Sequence, residues 1–438
     1  MKAPVFIMAL FFILLSRIVC LAGLIYTVST GILVFLYNYY KFAGVIRILL
    51  IILTFLPCIA YPGLKVSPDS VIQSNNPLIE SNIYYGKIFN NYPDFPERKN
   101  SLFIELGLTY QTDGSRKWHS IYYYPQAGVS LIFGELGNNE VFGQNISILP
   151  HLSFTHFRNR MFKLETGIGF GFSYFNRIYD ATDNPDNLLI GSAVTNITCG
   201  SASLKINISD RMILKGGISF LHFSNGHYQL PNIGLNCPAA NLGVKYYLNT
   251  KPVIPLREKP EPYKGNILFN VRLGFGMHEF GVATKPLGGP KYPIYMCTAF
   301  VSRRYTRINN VHAGLFIHYY TSFYDYIIDQ EMYDSNRSLN SMCLSAFLGH
   351  EFLIGRIGLV TQCGFNFYNP FPKDYILLTQ DKLDIAEVLE NYISNKLGMQ
   401  YYFSGPSETN RNKLFVGLYI KAKFGVADFV EYAIGYSF

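Results

Sequence analysis

The sequence has little charge for its length. Asp, Glu, Lys and Arg make up 15% of its 438 residues, whereas soluble domains average about 25%. This shortage disfavours an ordinary cytosolic enzyme. The 7 cysteines show neither the CxxC spacing of a zinc site nor the density of a disulfide scaffold. The net charge of +8 includes no dense Lys/Arg run of the kind that binds nucleic acid. We therefore expect no metal, no other cofactor and no nucleic-acid partner.

Long apolar runs occur only at the start of the chain, in residues 1–60, which we predict to be a hydrophobic leader or signal region. Lys41 and Arg47 precede a short apolar segment, and small residues at 58–60 fit a cleavage point before Tyr61. Either the chain start is set too early, so that residues 1–40 do not belong to the protein, or residues 1–60 form one or two inner-membrane helices; the first is favoured. Beyond residue 60 no run reaches the ~18 apolar residues of a spanning helix. Residues 61–98 are rich in proline and predict an extended periplasmic lead-in.

Aromatic residues are abundant, with 34 Tyr and 35 Phe, and from Ser101 onward apolar residues alternate with polar or small ones. Since successive side chains of a strand point to opposite faces, residues 211–224 predict a strand with one apolar face, formed by Met212, Leu214, Gly216, Ile218 and Phe220. Most such segments have the ~9–11 residues of a tilted membrane strand. The pattern predicts an all-β, antiparallel transmembrane β-barrel. A soluble β-sandwich is the alternative, and the low charge argues against it.

The number of barrels is open at this stage, because a proline-rich break at residues 252–262 divides the alternating region. One arrangement is a single large barrel of about 14–16 strands. The other is a barrel of the eight-stranded type in residues 99–250, followed by a second barrel-like half in residues 264–438. A single barrel is favoured because it removes the sheet edges with one closure. Residues 384–396 have apolar residues at helical spacing and predict a short loop helix.

The most informative segment is residues 220–236, FLHFSNGHYQLPNIGLN. His222 and Ser224 lie two positions apart, so they share the apolar face of their strand. Polar groups on that face cost little free energy only near the membrane interface, which places the pair at the rim. Nucleophilic catalysis by serine requires a base within reach and a third group that orients the base. Asn236 has the parity to point to the same side and orient His222.

Other polar groups of the segment complete a candidate site. Asn225, the Gly226 backbone and Asn232 are candidate donors to the oxyanion of a tetrahedral intermediate. His227 is expected to be a solvated loop residue, with contact to a substrate phosphate as the alternative. His312 and His318 lie in the second half without a serine partner at useful spacing and are expected to be structural.

The run HFSNG followed by PNIGLN resembles the lipid A 3-O-deacylases, also called acyloxyacyl hydrolases, and the resemblance extends over about residues 101–249. It implies a serine esterase in the outer membrane of a Gram-negative bacterium that removes an acyl chain from lipid A. The family's His and Ser fall on His222 and Ser224, and its oxyanion-related Asn residues fall on Asn225 and Asn232. Its acidic third member falls on Asn236, which has no carboxylate. The implied partners are lipopolysaccharide and outer-membrane lipids, with the oligomeric state unknown.

Two other functions remain open. An HxSNG run with asparagine as third member also resembles outer-membrane phospholipase A, a calcium-dependent enzyme, although no Asp/Glu cluster adjoins the motif and the PNxGxN continuation favours the deacylases. The third possibility is a non-enzymatic barrel, either a channel or a structural protein, in which the His-x-Ser motif is a relic.

Overall fold

The structure, a computed structural model, describes residues 76–158, 161–249, 263, 265–285, 287–379, 385–404 and 412–438. The predicted leader 1–60, the predicted lead-in as far as residue 75 and the proline-rich break at 252–262 lie outside the described residues. Among the described residues, no helix is both long and apolar enough to cross a bilayer. The five cysteines in this part of the chain are free thiols.

The strands have one apolar and one polar face, as the alternation predicts. In β2 (Ser101–Gln111) every second residue is buried. The outward side chains are 39% to 53% exposed and all apolar or aromatic: Leu102, Ile104, Leu106, Leu108 and Tyr110. The buried positions between them include Glu105 and Thr109. An apolar outer wall around a polar interior is the arrangement of a membrane barrel.

The first barrel closes with eight antiparallel strands in sequential order. Closure comes from pairing of the first strand with the eighth, for example Leu78 with Tyr247. A short helix, α1 (Lys117–Ile121), lies between the second and third strands. The other strands are β1 (Asn76–Gly86), β3 (Gln126–Glu135), β4 (Gln144–His156), β5 (Lys163–Phe175), β6 (Val194–Asn207), β7 (Met212–Ser224) and β8 (Leu235–Tyr247).

The second barrel repeats this plan with a further eight strands. Its strands are β9 (Ile267–Glu279), β10 (Lys291–Arg304), β11 (Asn309–Tyr320), β12 (Met342–Ile354), β13 (Ile357–Tyr368), β14 (Ile393–Tyr402), β15 (Lys413–Lys423) and β16 (Val426–Ser437). Its longer loops carry the helices α2 (Thr321–Asp329), α3 (Arg337–Asn340), α4 (Pro370–Thr379) and α5 (Ile385–Tyr392). The helix expected at 384–396 corresponds to α5, and the remainder from Ile393 belongs to β14.

The predicted class, an antiparallel transmembrane β-barrel, is confirmed, and of the two arrangements the structure has two barrels. The preference for a single large barrel was wrong. β8 pairs with β1 and β16 pairs with β9, so each half removes its own edges. The lead-in predicted for residues 61–98 also needs correction, because Asn76–Gly86 within it forms β1.

Side chains fill the interior of both barrels, as expected for eight strands. In the first barrel the buried Glu165 contacts Lys205 and Lys245, each at 2.8 Å. In the second barrel the buried Glu431 contacts Arg272 and Lys396. Buried charges of this kind are tolerated because they are paired and hydrogen-bonded.

The two barrels lie side by side, with contacts near both ends. At one end the β7–β8 loop meets the end of β9, where Glu279 N–H donates to His227 O at 3.3 Å. At the other end Gly355, in the β12–β13 turn, packs against Trp118 of α1, so that a Cβ on Gly355 would lie 3.0 Å from Trp118 Nε1. The first of these contacts is next to the His-x-Ser motif.

Candidate active site at the rim of the first barrel

The motif lies where the lipid-facing wall of β7 ends. Leu214 and Ile218 are 40% and 68% exposed on this wall, whereas Lys215 and Ser219 on the opposite face are buried. His222 and Ser224 continue the Leu214–Ile218 face to the last residue of the strand. The structure therefore places the pair on the predicted face of β7, at the end of the strand.

His222 and Asn236 face each other across two antiparallel strands. They are direct partners in the β7–β8 register, and His222 Nδ1 lies 2.7 Å from Asn236 Oδ1. An amide oxygen only accepts, so this contact places the proton of a neutral imidazole on Nδ1. Nε2 is then unprotonated, which is the state that a general base requires.

Ser224 is only 6% exposed, and two N–H donors converge on its hydroxyl. Asn232 Nδ2 donates to Ser224 Oγ at 3.0 Å, and the Gly226 backbone N–H donates to the same atom at 3.1 Å. The oxyanion of a tetrahedral intermediate is two bonds away from the attacking oxygen. Donors at Oγ are therefore close to the place where negative charge develops in acyl transfer.

The Asn225 side chain has a different environment from that of Asn232. Its Nδ2 donates to Ser192 Oγ at 3.1 Å and to Gln229 O at 2.7 Å, and its backbone N–H donates to Asn232 Oδ1 at 3.1 Å. Of the three candidate oxyanion donors, Gly226 and Asn232 are thus hydrogen-bonded to Ser224 Oγ. The Asn225 side chain is hydrogen-bonded to Ser192 and to the loop residue Gln229 instead.

Two further residues lie next to the pair: Asn196, which the sequence did not indicate, and Gly234, which the sequence predicts to shape the loop. Asn196 is the register partner of Ser224 on β6, and its Nδ2 donates to Ser224 O. Gly234 has a φ of +82°, and a Cβ there would lie 3.3 Å from His222 Cε1, so the absence of a side chain leaves room for the imidazole. Asn196 lies next to Ser224 because β6 pairs with β7, and no local sequence motif identifies it.

The prediction that His227 is a solvated loop residue was wrong. Its side chain is buried, and Nε2 donates to Gly281 O of the second barrel at 3.2 Å. Burial lowers the pKa of His227, and the carboxylate of Asp428 opposes that shift. No local sequence pattern indicates this contact, because the two residues belong to different barrels.

His312 and His318, the second-half histidines expected to be structural, lie inside the second barrel, whereas His278 at the end of β9 has its ring centroid 6.4 Å from that of His227. His312 is buried in the second barrel, 3.3 Å from Glu351 Oε2, and His318 is buried on the same strand. In the described part of the chain, no group of three or more His, Cys, Asp or Glu is arranged to hold a metal ion.

The fold is that of an outer-membrane β-barrel protein, here with two barrels in one chain. Residues 103–245 match the family model described as "Lipid A 3-O-deacylase (PagL)". Residues 267–438 match the model described as "Acyloxyacyl hydrolase, C-terminal domain". Together the matches cover more than two thirds of the chain, which therefore belongs to the lipid A 3-O-deacylase, or acyloxyacyl hydrolase, family.

The outer-membrane enzyme PagL is among the similar solved structures, with 16% identity over 37% of this chain and 97% of that chain, and a TM-score of 0.28. A TodX monoaromatic hydrocarbon channel mutant is similar at 9% identity over 85% of this chain and 91% of that chain, with a TM-score of 0.16. The β domain of the Bordetella autotransporter Brka has 8% identity over 83% of this chain and 98% of that chain, with a TM-score of 0.20. No curated protein sequence matches the chain.

Proposed function

We propose that the protein is a serine esterase of the Gram-negative outer membrane that hydrolyses the 3-O-acyl ester of lipid A. The observation that carries the proposal is the arrangement on one outward face. His222 is oriented by Asn236, and Ser224 stands two residues further along the strand and receives two N–H donors. Membership of the deacylase family supports lipid A as the substrate.

In the proposed reaction, His222 Nε2 removes the proton of Ser224 as Oγ attacks the ester carbon. The Asn232 amide and the Gly226 N–H stabilise the oxyanion of the tetrahedral intermediate. The imidazolium then protonates the departing sugar oxygen, leaving an acyl-serine. Water, deprotonated by His222, cleaves the acyl-serine and releases the fatty acid. Asn236 Oδ1 holds the ring throughout but supplies no full negative charge to the imidazolium.

The position of the site suits a substrate that stays in the membrane. The exposed Ile218 and Leu214 lie on the wall that leads along β7 to Ser224. An acyl chain that lies against this wall brings its ester to the rim, where the polar headgroup remains in the interfacial region. The substrate therefore need not leave the bilayer.

The test is mass spectrometry of lipid A from cells that express the wild-type protein, Ser224→Ala or His222→Ala. The wild type should remove one acyl chain, whereas both variants should leave lipid A intact. Heat-dependent mobility in gel electrophoresis verifies that the variants are folded barrels. Deacylation by folded Ser224→Ala would refute the proposed nucleophile.

A phospholipase activity is the second candidate, and the neutral Asn236 beside His222 is the observation that favours it. The same purified protein should then release fatty acids from glycerophospholipid in mixed micelles, and a calcium chelator should abolish that release. Activity on lipid A that is insensitive to the chelator, without release from phospholipid, would exclude this second function.

If the protein is a non-enzymatic channel, it should show strong ion conductance in planar bilayers and should release fatty acids from neither lipid.

A further inference from the structure

The loop that carries the candidate oxyanion donors is bound to the second barrel. We call residues 225–234 the catalytic loop and residues 279–283 the docking segment. Asn232 N–H donates to Ala283 O at 2.8 Å, and Glu279 N–H donates to His227 O at 3.3 Å. The His227 ring donates to Gly281 O. Two backbone hydrogen bonds and one side-chain hydrogen bond therefore join the catalytic loop to the docking segment.

Glu279 adds a charged group to this contact. Its carboxylate is fully buried, and Oε2 accepts from the Leu230 backbone N–H at 3.0 Å. The same oxygen lies 2.6 Å from Lys291 Nζ, and Oε1 accepts from Gly289 N–H at 2.7 Å. The second barrel thus holds the carboxylate from two sides and presents it to the catalytic loop. Hydrogen bonds to charged groups are stronger than neutral ones.

Gly226 is the second place where the barrels meet at the site. Its φ is +66°, and a Cβ at this position would lie 2.5 Å from Cγ2 of Val430 on β16. Both residues that donate to Ser224 Oγ therefore touch the second barrel directly. Asn232 does so through its backbone N–H, and Gly226 does so by close packing.

We propose that the second barrel is a positioning domain for the site in the first, and that Glu279 is its principal positioning residue. The docking segment fixes the catalytic loop so that Asn232 Nδ2 and Gly226 N–H stay on Ser224 Oγ. This role rests on the proposed esterase function. It also gives a second half without a His-x-Ser pair a part in the same reaction.

The test compares Glu279→Ala, Glu279→Gln and wild type on purified lipid A in detergent micelles. Glu279→Ala should lower kcat about 10- to 100-fold with little change in KM, which corresponds to the loss of a hydrogen bond to a charged group. Glu279→Gln keeps an oxygen for Leu230 N–H and should recover most of kcat. Glu351→Ala removes another buried carboxylate of the second barrel, which lies near the β12–β13 turn and accepts from Gln400, and should keep kcat within about threefold.

Hydrogen exchange of the catalytic-loop amides measures docking independently of activity. In Glu279→Ala the Leu230 and Asn232 amides should exchange at least tenfold faster than in wild type. Lys291→Met leaves the carboxylate in place, so exchange of the same amides should increase less. Unchanged exchange, an unchanged kcat in Glu279→Ala, or an equal loss in Glu351→Ala would overturn the positioning role. Persistent deacylation by Ser224→Ala would overturn the proposed nucleophile instead, while the exchange result would still decide whether Glu279 docks the loop.

Discussion

Asn236 and His222 are paired across β7 and β8, with Asn236 Oδ1 2.7 Å from His222 Nδ1. An amide oxygen fixes the ring as a carboxylate does, because both accept from Nδ1–H, but it leaves the imidazolium without a counter-charge. Asn236→Leu should lower kcat by about 10- to 100-fold, at or below the low end of the roughly 10²- to 10⁴-fold that a general base contributes, because the ring loses its orientation but no counter-charge. Asn236→Asp should retain at least the wild-type kcat. Both are measured on lipid A in detergent micelles.

The control for this pair is Asn241→Leu on the same strand. Asn241 is also buried, but its amide is hydrogen-bonded to Ser203 and Ser219 inside the barrel. It should affect stability and leave kcat nearly unchanged. An equal loss of kcat in Asn241→Leu and Asn236→Leu would show that Asn236 acts only on the fold.

Asn232 and Asn225 should differ sharply in their effect on catalysis. Asn232 Nδ2 donates to Ser224 Oγ, so Asn232→Ala should lower kcat by about 10²- to 10³-fold, the usual loss for one oxyanion donor. Asn225 Nδ2 donates to Ser192 and Gln229 instead. Asn225→Ala should lower kcat about tenfold or less, because the two neutral hydrogen bonds that it removes, of about 1 kcal/mol each, stabilise the loop and do not reach the oxyanion. If Asn225→Ala is the more damaging variant, the two roles are assigned the wrong way round.

The local part of this site was predictable because a β-strand has a fixed period. Positions two apart share a face, so the apolar Leu214 and Ile218 indicated where His222 and Ser224 point. The position of Asn236 could be predicted for the same reason, because β7 and β8 form one hairpin. The alternation of the sequence was therefore sufficient for the barrel class and for the face of the site.

The remaining features depend on pairing between distant residues. The number of barrels is decided by whether Tyr247 pairs with Leu78, and no local pattern encodes that choice. β1 was hidden because its inward residues, including Glu80 and Asn82, are polar and belong to a buried network. The burial of His227 against Gly281 and the hydrogen bond from Leu230 N–H to Glu279 likewise arise between the two barrels, where the sequence shows only an ordinary turn.

Gly226 and Val430 give a test of close packing between the barrels. Gly226→Ala places a Cβ 2.5 Å from Val430 Cγ2 and forces a non-glycine residue into the left-handed region, at about 1–2 kcal/mol. The variant should lose kcat because the Gly226 N–H moves away from Ser224 Oγ. Adding Val430→Ala removes the clash but not the backbone strain, so the double variant should recover part of the loss. Val430→Ala alone serves as the control. A double variant no better than Gly226→Ala would mean that the clash is relieved elsewhere.

The buried charges of the first barrel should control its stability. Glu165 contacts Lys205 and Lys245 at 2.8 Å each and Lys215 at 3.7 Å, and all four side chains are almost completely buried. Glu165→Gln leaves these lysines with less negative charge nearby. Breaking a buried ion pair by removing one partner costs about 3–5 kcal/mol, so the free energy of unfolding should fall by about that amount.

The measurement is urea unfolding in lipid vesicles, followed by the fluorescence of the single tryptophan, Trp118, which lies in the loop between β2 and β3. Glu135→Gln is the matched control, because Glu135 is exposed at the end of β3 and its loss should change the free energy of unfolding by about 0.5 kcal/mol or less. Equal stability of the two variants would show that the lysines are compensated without Glu165. The residual charge would then have to be balanced by Glu80, which contacts Lys215 and Lys245.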